Sequence, residues 1–505
     1  MRKMRFEVKD TLTEEEFHEG LRSFIKDGLA TEVMAALTGG VFLVAFALKL
    51  GASNMLIGLL AAIPPLVQLI QIPCIYLVES HRVRRKVCVY TAFSSRILWL
   101  FIALIPFLFS GGTGLTVLLI AILLSTTLSA VGGCSWNSWM HDFLPHNRLG
   151  SIFSKRMSLA IGLGIPFSLA AGLFIERWKD LFPQYELYGY SILFSMGFIA
   201  GTLGVYFVST IPEPRMPPLE GKVNFINLIL KPLKDTNFRR LIIFMSSWNF
   251  AINLAAPFFT VYMLRVLGLG MSSIVMFMVL SQIANISFLR IWGKLADRFS
   301  NKSVLSVSGP LFLLSIFTWI FTGMPGRYGL TIPLLVAIHI FSGISTAGVI
   351  LASGNIGLKL APRGKATSYL AASSFINSLA AGSAPILGGA LADRLAGYEL
   401  SLLLDLKYPG GEHVIPTFDL SQFDFLFLLA VLIGLFSIVR LAMVREAGEV
   451  KESMIIQELV AEVGRGVRDL STADGLRPMV LFPYSILREH LKKIRREDIR
   501  RWIGT

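Results

Sequence analysis

The stretch WGKLADRFSNKS (Trp292–Ser303) interrupts oil. MFMVLSQIANISFL precedes it and VLSVSGPLFLLSIFTWIF follows. A Gly, an Asp and cations between two long apolar runs mark a turn at a membrane surface, because each run is long enough for a bilayer core of about 30 Å.

Outward from that turn the pattern repeats. Apolar residues make up 54% of the chain and charged residues 16%, against about a quarter charged in soluble proteins. In lipid the backbone must satisfy its own hydrogen bonds, so each long apolar window is predicted as a helix. Twelve windows qualify: 28–50, 54–78, 87–109, 114–140, 157–175, 188–210, 241–263, 272–292, 304–323, 331–358, 366–392 and 423–444. The expected fold class is an all-α polytopic membrane protein.

An even number of spans puts both termini on one side. That side holds 39 of the 47 Lys and Arg, the other holds seven, and Arg96 lies inside a span. The positive-inside rule makes the rich side cytoplasmic. The net charge of +14 is therefore read as membrane orientation, and nucleic acid is not an expected partner. Residues 1–26 lack the apolar core of a signal peptide and read as a cytoplasmic N-terminal segment. The expected setting is the plasma (bacterial inner) membrane.

The chain is written twice. An offset of 217 residues lays Phe42 on Phe259, Gly51 on Gly268, Val87 on Val304 and Pro145 on Pro362. The fifth and eleventh spans match with a slip of two, through GIPFSLAAGLFIER and SAPILGGALADR. Six spans per half give both halves the same orientation, so an axis along the membrane normal is expected between them. The division is an N-terminal six-helix bundle at 27–210, a cytoplasmic interdomain linker at 211–240, a C-terminal six-helix bundle at 241–446 and a cytoplasmic basic tail at 447–505. In the linker, Phe225 to Leu230 form an apolar run suited to a membrane surface. In the tail, MIIQELVAEVGRGV has apolar residues at helical spacing, and ILREHLKKIRREDIRRWI reads as a basic amphipathic helix. The tail is either a solvated helix or a regulatory one.

GKLADRFSNKSV resembles the signature loop of the major facilitator superfamily, through Gly293, Leu295, Ala296, Asp297, Arg298, Phe299 and Lys302. HDFLPHNRLGSIFSKR resembles the family's loop after the fourth helix, and APILGGALADR its Gly-rich helix. The texture is similar to an uncharacterised bacterial permease-like branch. The resemblance implies the major facilitator fold, twelve helices in two pseudo-symmetric bundles. It also implies a conformational latch at Gly293, Asp297, Arg298 and Lys302, with Asp297 facing Ser154 to Arg156. Gly293 is expected to let a helix end approach its neighbour. Two departures stand out. The first-half copy, YLVESHRVRRKV, has Glu79-Ser80 where the acid belongs. The fourth span lacks the Arg of the drug/proton antiporter branch.

Polar groups at membrane depth are functional candidates. The offset lays Glu32 on Asn249 and Gln68 on Asn285. Glu32, Gln68, Asn249, Asn253, Gln282 and Asn285 are expected either to line a substrate cavity or to join helices by hydrogen bonds. Gln71 lies one turn from Gln68. His339 is a proton carrier or a satisfied interior histidine. Trp136, Asn137 and Trp139 are interface anchors or a cytoplasmic gate. Arg96 is expected to face inward and pair with Glu32; the alternative is snorkelling toward Glu79 or Asp142. Cys74, Cys88 and Cys134 show no metal spacing and read as buried thiols. No metal, cofactor or catalytic group is expected, so the chain does not read as an enzyme.

The function expected is a secondary active transporter moving a small solute by alternating access, with Glu32 taking up a proton. The chain is expected to be monomeric in the lipid bilayer. The alternative is a transporter-fold sensor or scaffold without transport.

Overall fold

The computed structural model describes residues 8–10, 12–70, 73–74, 83–145, 149–216, 230, 232–323, 329–362, 366–408 and 411–471. Glu79, Gln71, most of the apolar run at 225–230 and the second tail helix lie outside the described residues.

The first helix, α1 (Glu14–Thr38), begins at a capping box. Thr13 Oγ1 accepts from the Glu16 amide at 3.3 Å, and Glu16 Oε2 accepts from the Thr13 amide at 3.2 Å, which satisfies two otherwise orphan donors. The charged lead-in is thus partly helical, and Asp27 lies within the helix that crosses the membrane. The span breaks at Gly39-Gly40. Gly40 takes φ +54°, a conformation only Gly adopts without penalty, and α2 (Gly40–Lys49) completes the crossing.

The second span is α3 (Asn54–Val67), extended by a 3-10 turn at Gln68–Ile70. Its 14 residues rise about 21 Å. Pro64 and Pro65 interrupt its hydrogen-bond ladder. Next come α4 (Arg84–Leu108), α5 (Gly111–Phe143), α6 (Leu149–Leu181) and α7 (Glu186–Thr210). The second half has α8 (Thr236–Arg265), α9 (Met271–Arg298), α10 (Asn301–Trp319), α11 (Thr331–Leu360), α12 (Ala366–Arg394) and α13 (Gln422–Ala442). Among the described residues eleven helices are long and apolar enough to cross a membrane, and Asn54–Ile70 is a shorter apolar one in the second span's place.

Two features were not read from the sequence. Strands β1 (Val8–Lys9) and β2 (Glu213–Pro214) pair in parallel, tying the N-terminal segment to the start of the linker. Strands β3 (Glu399–Tyr408) and β4 (Gly411–Ser421) form an antiparallel hairpin between α12 and α13, with an irregularity at Leu402/Leu403. It sits where Pro416 faces Leu403, since proline has no N–H for the ladder. The tail helix α14 (Glu452–Ser471) follows α13.

In the first bundle α1 packs on α6 and α7, and α4 on α5 and α7. In the second, α8 packs on α12 and α13, and α11 on α9 and α10. The bundles meet along α3/α12 and α6/α9.

The repeat is visible in the caps. Glu213, just after α7, accepts from the Arg84 amide at 2.7 Å and the Arg85 amide at 3.2 Å. Glu446, just after α13, accepts from the Asn301 amide at 3.3 Å and the Lys302 amide at 2.7 Å. Arg84 and Arg85 fall on Asn301 and Lys302 at the offset of 217. Each carboxylate therefore closes the open N-terminus of its bundle's third span and favours its dipole. Burial pushes the Glu213 carboxyl up, and hydrogen bonds from the Arg85 and Arg84 amides oppose the rise.

Candidate functional site

The end that carries the linker and the tail is here the basic end. At the opposite end the bundles are clasped. Asp393, at the end of α12, accepts from the Asn54 amide at 3.0 Å and the Met55 amide at 2.8 Å, and so caps α3 of the other bundle. Glu176, near the end of α6, accepts from the Ser272 amide at 3.3 Å and from the Ser272 hydroxyl, and so caps α9. Arg265 adds a bond to the Ala52 carbonyl at 3.0 Å.

Small residues let the helices close. A methyl group on Gly58 would overlap the Pro385 carbonyl, and one on Gly389 would overlap Asn54. The neighbouring Gly388 faces Leu254 inside its own bundle. The Gly-Gly of the eleventh span thus serves one contact within a bundle and one between bundles.

The basic end has no counterpart of these clasps among the described residues. Asp297 is exposed and has no hydrogen bond or ion pair there. Its expected partner segment is engaged elsewhere: Arg156 donates to Asp27 at 2.7 Å and to the Phe24 carbonyl at 3.1 Å. The expected Asp297 contact with Ser154 to Arg156 is therefore not made in this conformation. A Cβ on Gly293 would meet only Leu351, at 3.6 Å, so Gly293 permits no close helix approach here. The loop's cations face the tail instead. Arg298 pairs with Glu458 at 2.7 Å, Lys294 with Glu462 at 3.3 Å and Lys302 with Glu449 at 2.7 Å. Ile455 is fully buried beside them. The tail helix is docked on the loop by one face, and its other face is exposed.

Two pockets lie on the seam between bundles. One, of 440 Å³, is lined by Pro65 and Gln68 from the first bundle and by Asn249, Ser353, Ser373 and Asn377 from the second. The other, of 240 Å³, holds Glu32, Gly39, Gly40 and Ser168 from the first and Val275 and Gln282 from the second. Glu32 lies against Gly164, whose Cβ would come within 2.9 Å of the Glu32 Cγ. Broken helices bare backbone polar groups, which is tolerated at this depth only where they line a cavity.

The expected lining residues therefore divide. Gln68 and Asn249 share one pocket, Glu32 and Gln282 the other. Asn249 and Asn253 bond to their own helix, to the Met245 carbonyl at 2.7 Å and the Asn249 carbonyl at 2.8 Å. Asn285 donates across to the Gly343 carbonyl at 3.4 Å, a helix–helix bond. His339 lines neither pocket. It is buried in the second bundle, stacked on Phe277 at 5.1 Å and bonded to the Leu335 carbonyl at 2.8 Å, as an interior histidine.

The expected Arg96–Glu32 pair is not formed. Arg96 does face inward, but the carboxylate whose charge it feels is Asp27. Asp142, the alternative partner, pairs with Arg84. Asp27 lay outside the window drawn for the first span. Trp136 stacks on Phe24 at 5.8 Å, and the Trp139 indole donates to the Pro212 carbonyl at 3.0 Å, so both are packed inside the bundle. Of the cysteines, Cys74 and Cys88 are buried and Cys134 is partly exposed.

The sequence profile of the Major Facilitator Superfamily matches residues 29–385. The chain belongs to the Major Facilitator Superfamily. It is thus a multi-pass membrane transporter by family. No curated protein sequence matches it. Solved structures share the fold of this superfamily member. A point mutant of the nucleoside transporter NupG matches with a TM-score of 0.64 at 13% identity, over 85% of this chain and 100% of that one. A bacterial metal transporter matches at 0.56 and 13%, over 86% and 99%. A bacterial homologue of the human lysosomal transporter Spinster, described as inward-facing, matches at 0.54 and 14%, over 76% and 84%.

For this superfamily member the sequence reading missed Asp27, Asn377, Glu176 and Asp393, and it sent Arg156 to Asp297 rather than to Asp27. A signal existed for Glu176 and Asp393. The offset of 217 lays Glu176 on Asp393 and Met55 on Ser272, but the slip assigned to the fifth and eleventh spans hid that register.

Proposed function

We propose that this chain is a secondary transporter that moves a small solute by alternating access, in the plasma membrane with both termini cytoplasmic. The observation that carries the reading is the pair of crossed carboxylate caps at the opposite end, Glu176 on α9 and Asp393 on α3. Closed at that end and with no such clasp among the described residues of the basic end, the conformation is inward-facing under this orientation. The units that rock are 27–210 and 241–446, joined by 211–240. In the other state the caps open and Asp297 engages the start of α6.

The solute binds along the seam, between Gln68, Asn249 and Asn377 on one flank and Glu32 and Gln282 on the other. Glu32 is the coupling carboxylate. It lies at the seam beside a helix break, and no described cation pairs with it. Proton uptake there would neutralise the carboxylate and let the flank close without a buried charge.

Uptake into proteoliposomes tests the reading. A panel of radiolabelled small solutes is offered with and without an inward-acid gradient. Saturable accumulation that is lost in Gly58→Val supports it. No uptake of any solute class, in wild type that is correctly inserted, would favour a scaffold.

A further inference from the structure

The first bundle contains a cavity of 340 Å³ that shares no lining residue with the two seam pockets. Asp27, Arg96 and Arg156 line it, with Thr31 and Ser129. Two guanidiniums stand against one carboxylate, a formal surplus of one positive charge.

The two arginines differ. Arg156 is committed to Asp27 at 2.7 Å, and its guanidinium lies 4.7 Å from the Phe24 ring and 5.0 Å from Trp136. Those contacts fix it in place. Thr31 donates to the other Asp27 oxygen at 3.2 Å. Arg96 is the unmatched one. Its Nη1 makes a long bond of 3.3 Å to the Ala92 carbonyl. Its Nε is buried and has no acceptor among the described protein groups. Its stem is pinned, since a Cβ at Gly201 would come within 2.9 Å of the Arg96 Cγ.

We infer that this cavity binds the oxyanionic group, carboxylate or phosphate, of a small soluble solute, with Arg96 as the principal donor and Arg156 as the second. A guanidinium presents a planar fork that matches such groups two bonds at a time. An Arg at membrane depth calls for a counter-charge, and Asp27 is already matched. Gly133 leaves room on the facing helix, because a Cβ there would meet nothing within 4 Å. This site is separate from the seam proposed for the transported solute, and the binding rests on the geometry above.

The test is thermal denaturation of the purified full chain in non-ionic detergent, titrated with acetate, benzoate and inorganic phosphate against chloride at fixed ionic strength. At least one of these anions raises Tm by several degrees in a saturable way. Arg96→Gln loses that response and Arg96→Lys keeps part of it. Gly133→Leu, which fills the space without touching a charge, also loses it while keeping the wild-type Tm in chloride. No saturable response to any of the three in wild type would overturn the site. So would an undiminished response in Gly133→Leu, or stabilisation by phosphatidylglycerol with none from the soluble anions. Because the readout is binding, its failure leaves the uptake result standing, and failed uptake with intact binding leaves the site standing.

Discussion

Glu176 and Asp393 occupy the same place in the two halves of the chain, 217 residues apart, and each caps a helix of the other half. Asp393 holds the α3 N-terminus at 2.8 and 3.0 Å, and Glu176 holds that of α9 at 3.3 Å. A carboxylate at a helix N-terminus contributes about 0.3–1 kcal/mol where exposed. Two act together here, and both are lost when the bundles part at this end. The pair therefore biases the chain toward the conformation closed at the opposite end.

Removing the charges while keeping an acceptor isolates that bias. The double variant Glu176→Gln/Asp393→Asn should move the conformational equilibrium by about 0.6–2 kcal/mol, the sum of two such terms. Thiol labelling of a cysteine placed at Ala52 reports it: labelling by a membrane-impermeant reagent from the opposite side should rise roughly tenfold. Unchanged labelling would mean that the caps do not set the equilibrium.

Gly58 should act in the same direction through sterics. Its replacement by Val drives a side chain into the Pro385 backbone, and backbone cannot yield cheaply. The opposite end should fail to close, with uptake abolished and thermal stability nearly intact. A Gly58→Val variant with wild-type uptake would show that this seam does not close during the cycle.

The Asp27–Arg156 pair is a stability element. Asp27 is 4% exposed. Removing one partner of a buried pair leaves the other uncompensated, at about 3 kcal/mol. Asp27→Asn should lower Tm clearly, and the second change Arg156→Gln should restore part of the loss. A double variant as unstable as the sum of the singles would deny the coupling.

Docking of the tail should depend on pH and salt. A hydrogen bond from Lys294, across the contact, holds the Glu462 carboxyl below the ordinary glutamate value of 4.5, and Glu458 is held below it first by Arg465 of the tail itself and then by the charge of Arg298 across the contact. Carboxylates lowered in the docked state contribute fully above that value, and the contribution is lost as pH falls through the lowered one. Exposed pairs are also screened by salt. Protection of 452–471 from hydrogen exchange, taken relative to the intrinsic amide rate at each pH, should be high at pH 7 and low salt and lower at pH 4 or in 1 M salt. In Glu458→Lys/Glu462→Lys it should be low at every pH. Uniform protection across these conditions would assign docking to Ile455 and its neighbours alone.

What the sequence revealed was whatever recurs locally. Long apolar windows specified the helices, the cation count set their alternation, and the signature loop located the turn after α9. Gln68 and Asn249 were found because polar residues at depth stand out against lipid-facing ones. Asp27 was missed because a charge beside a charged lead-in looks like surface until the capping box at Thr13 shows the helix starting earlier. The helix break at Gly39-Gly40 was missed because hydropathy stays high across it. Arg96 was sent to Glu32 by depth along the helix alone. Azimuth decides which carboxylate it meets, and depth does not contain it. The hairpin at 399–421 followed no helical pattern and had no partner to suggest it. The tail's docking depends on acids and cations at least 147 residues apart, which no local pattern links.

In the proposed cycle the bundles exchange closure at one end for closure at the other. Spin-label distances at both ends test it most directly, in a chain with Cys74, Cys88 and Cys134 replaced by Ser. Labels at Lys179 and Val266 report the opposite end, and labels at Met157 and Leu358 report the basic end. The first distance should be short and the second long in the parent chain, with both reversed in a large fraction of molecules carrying Glu176→Gln/Asp393→Asn. Distances that stay the same at both ends, or that lengthen at the opposite end without shortening at the basic end, would contradict it.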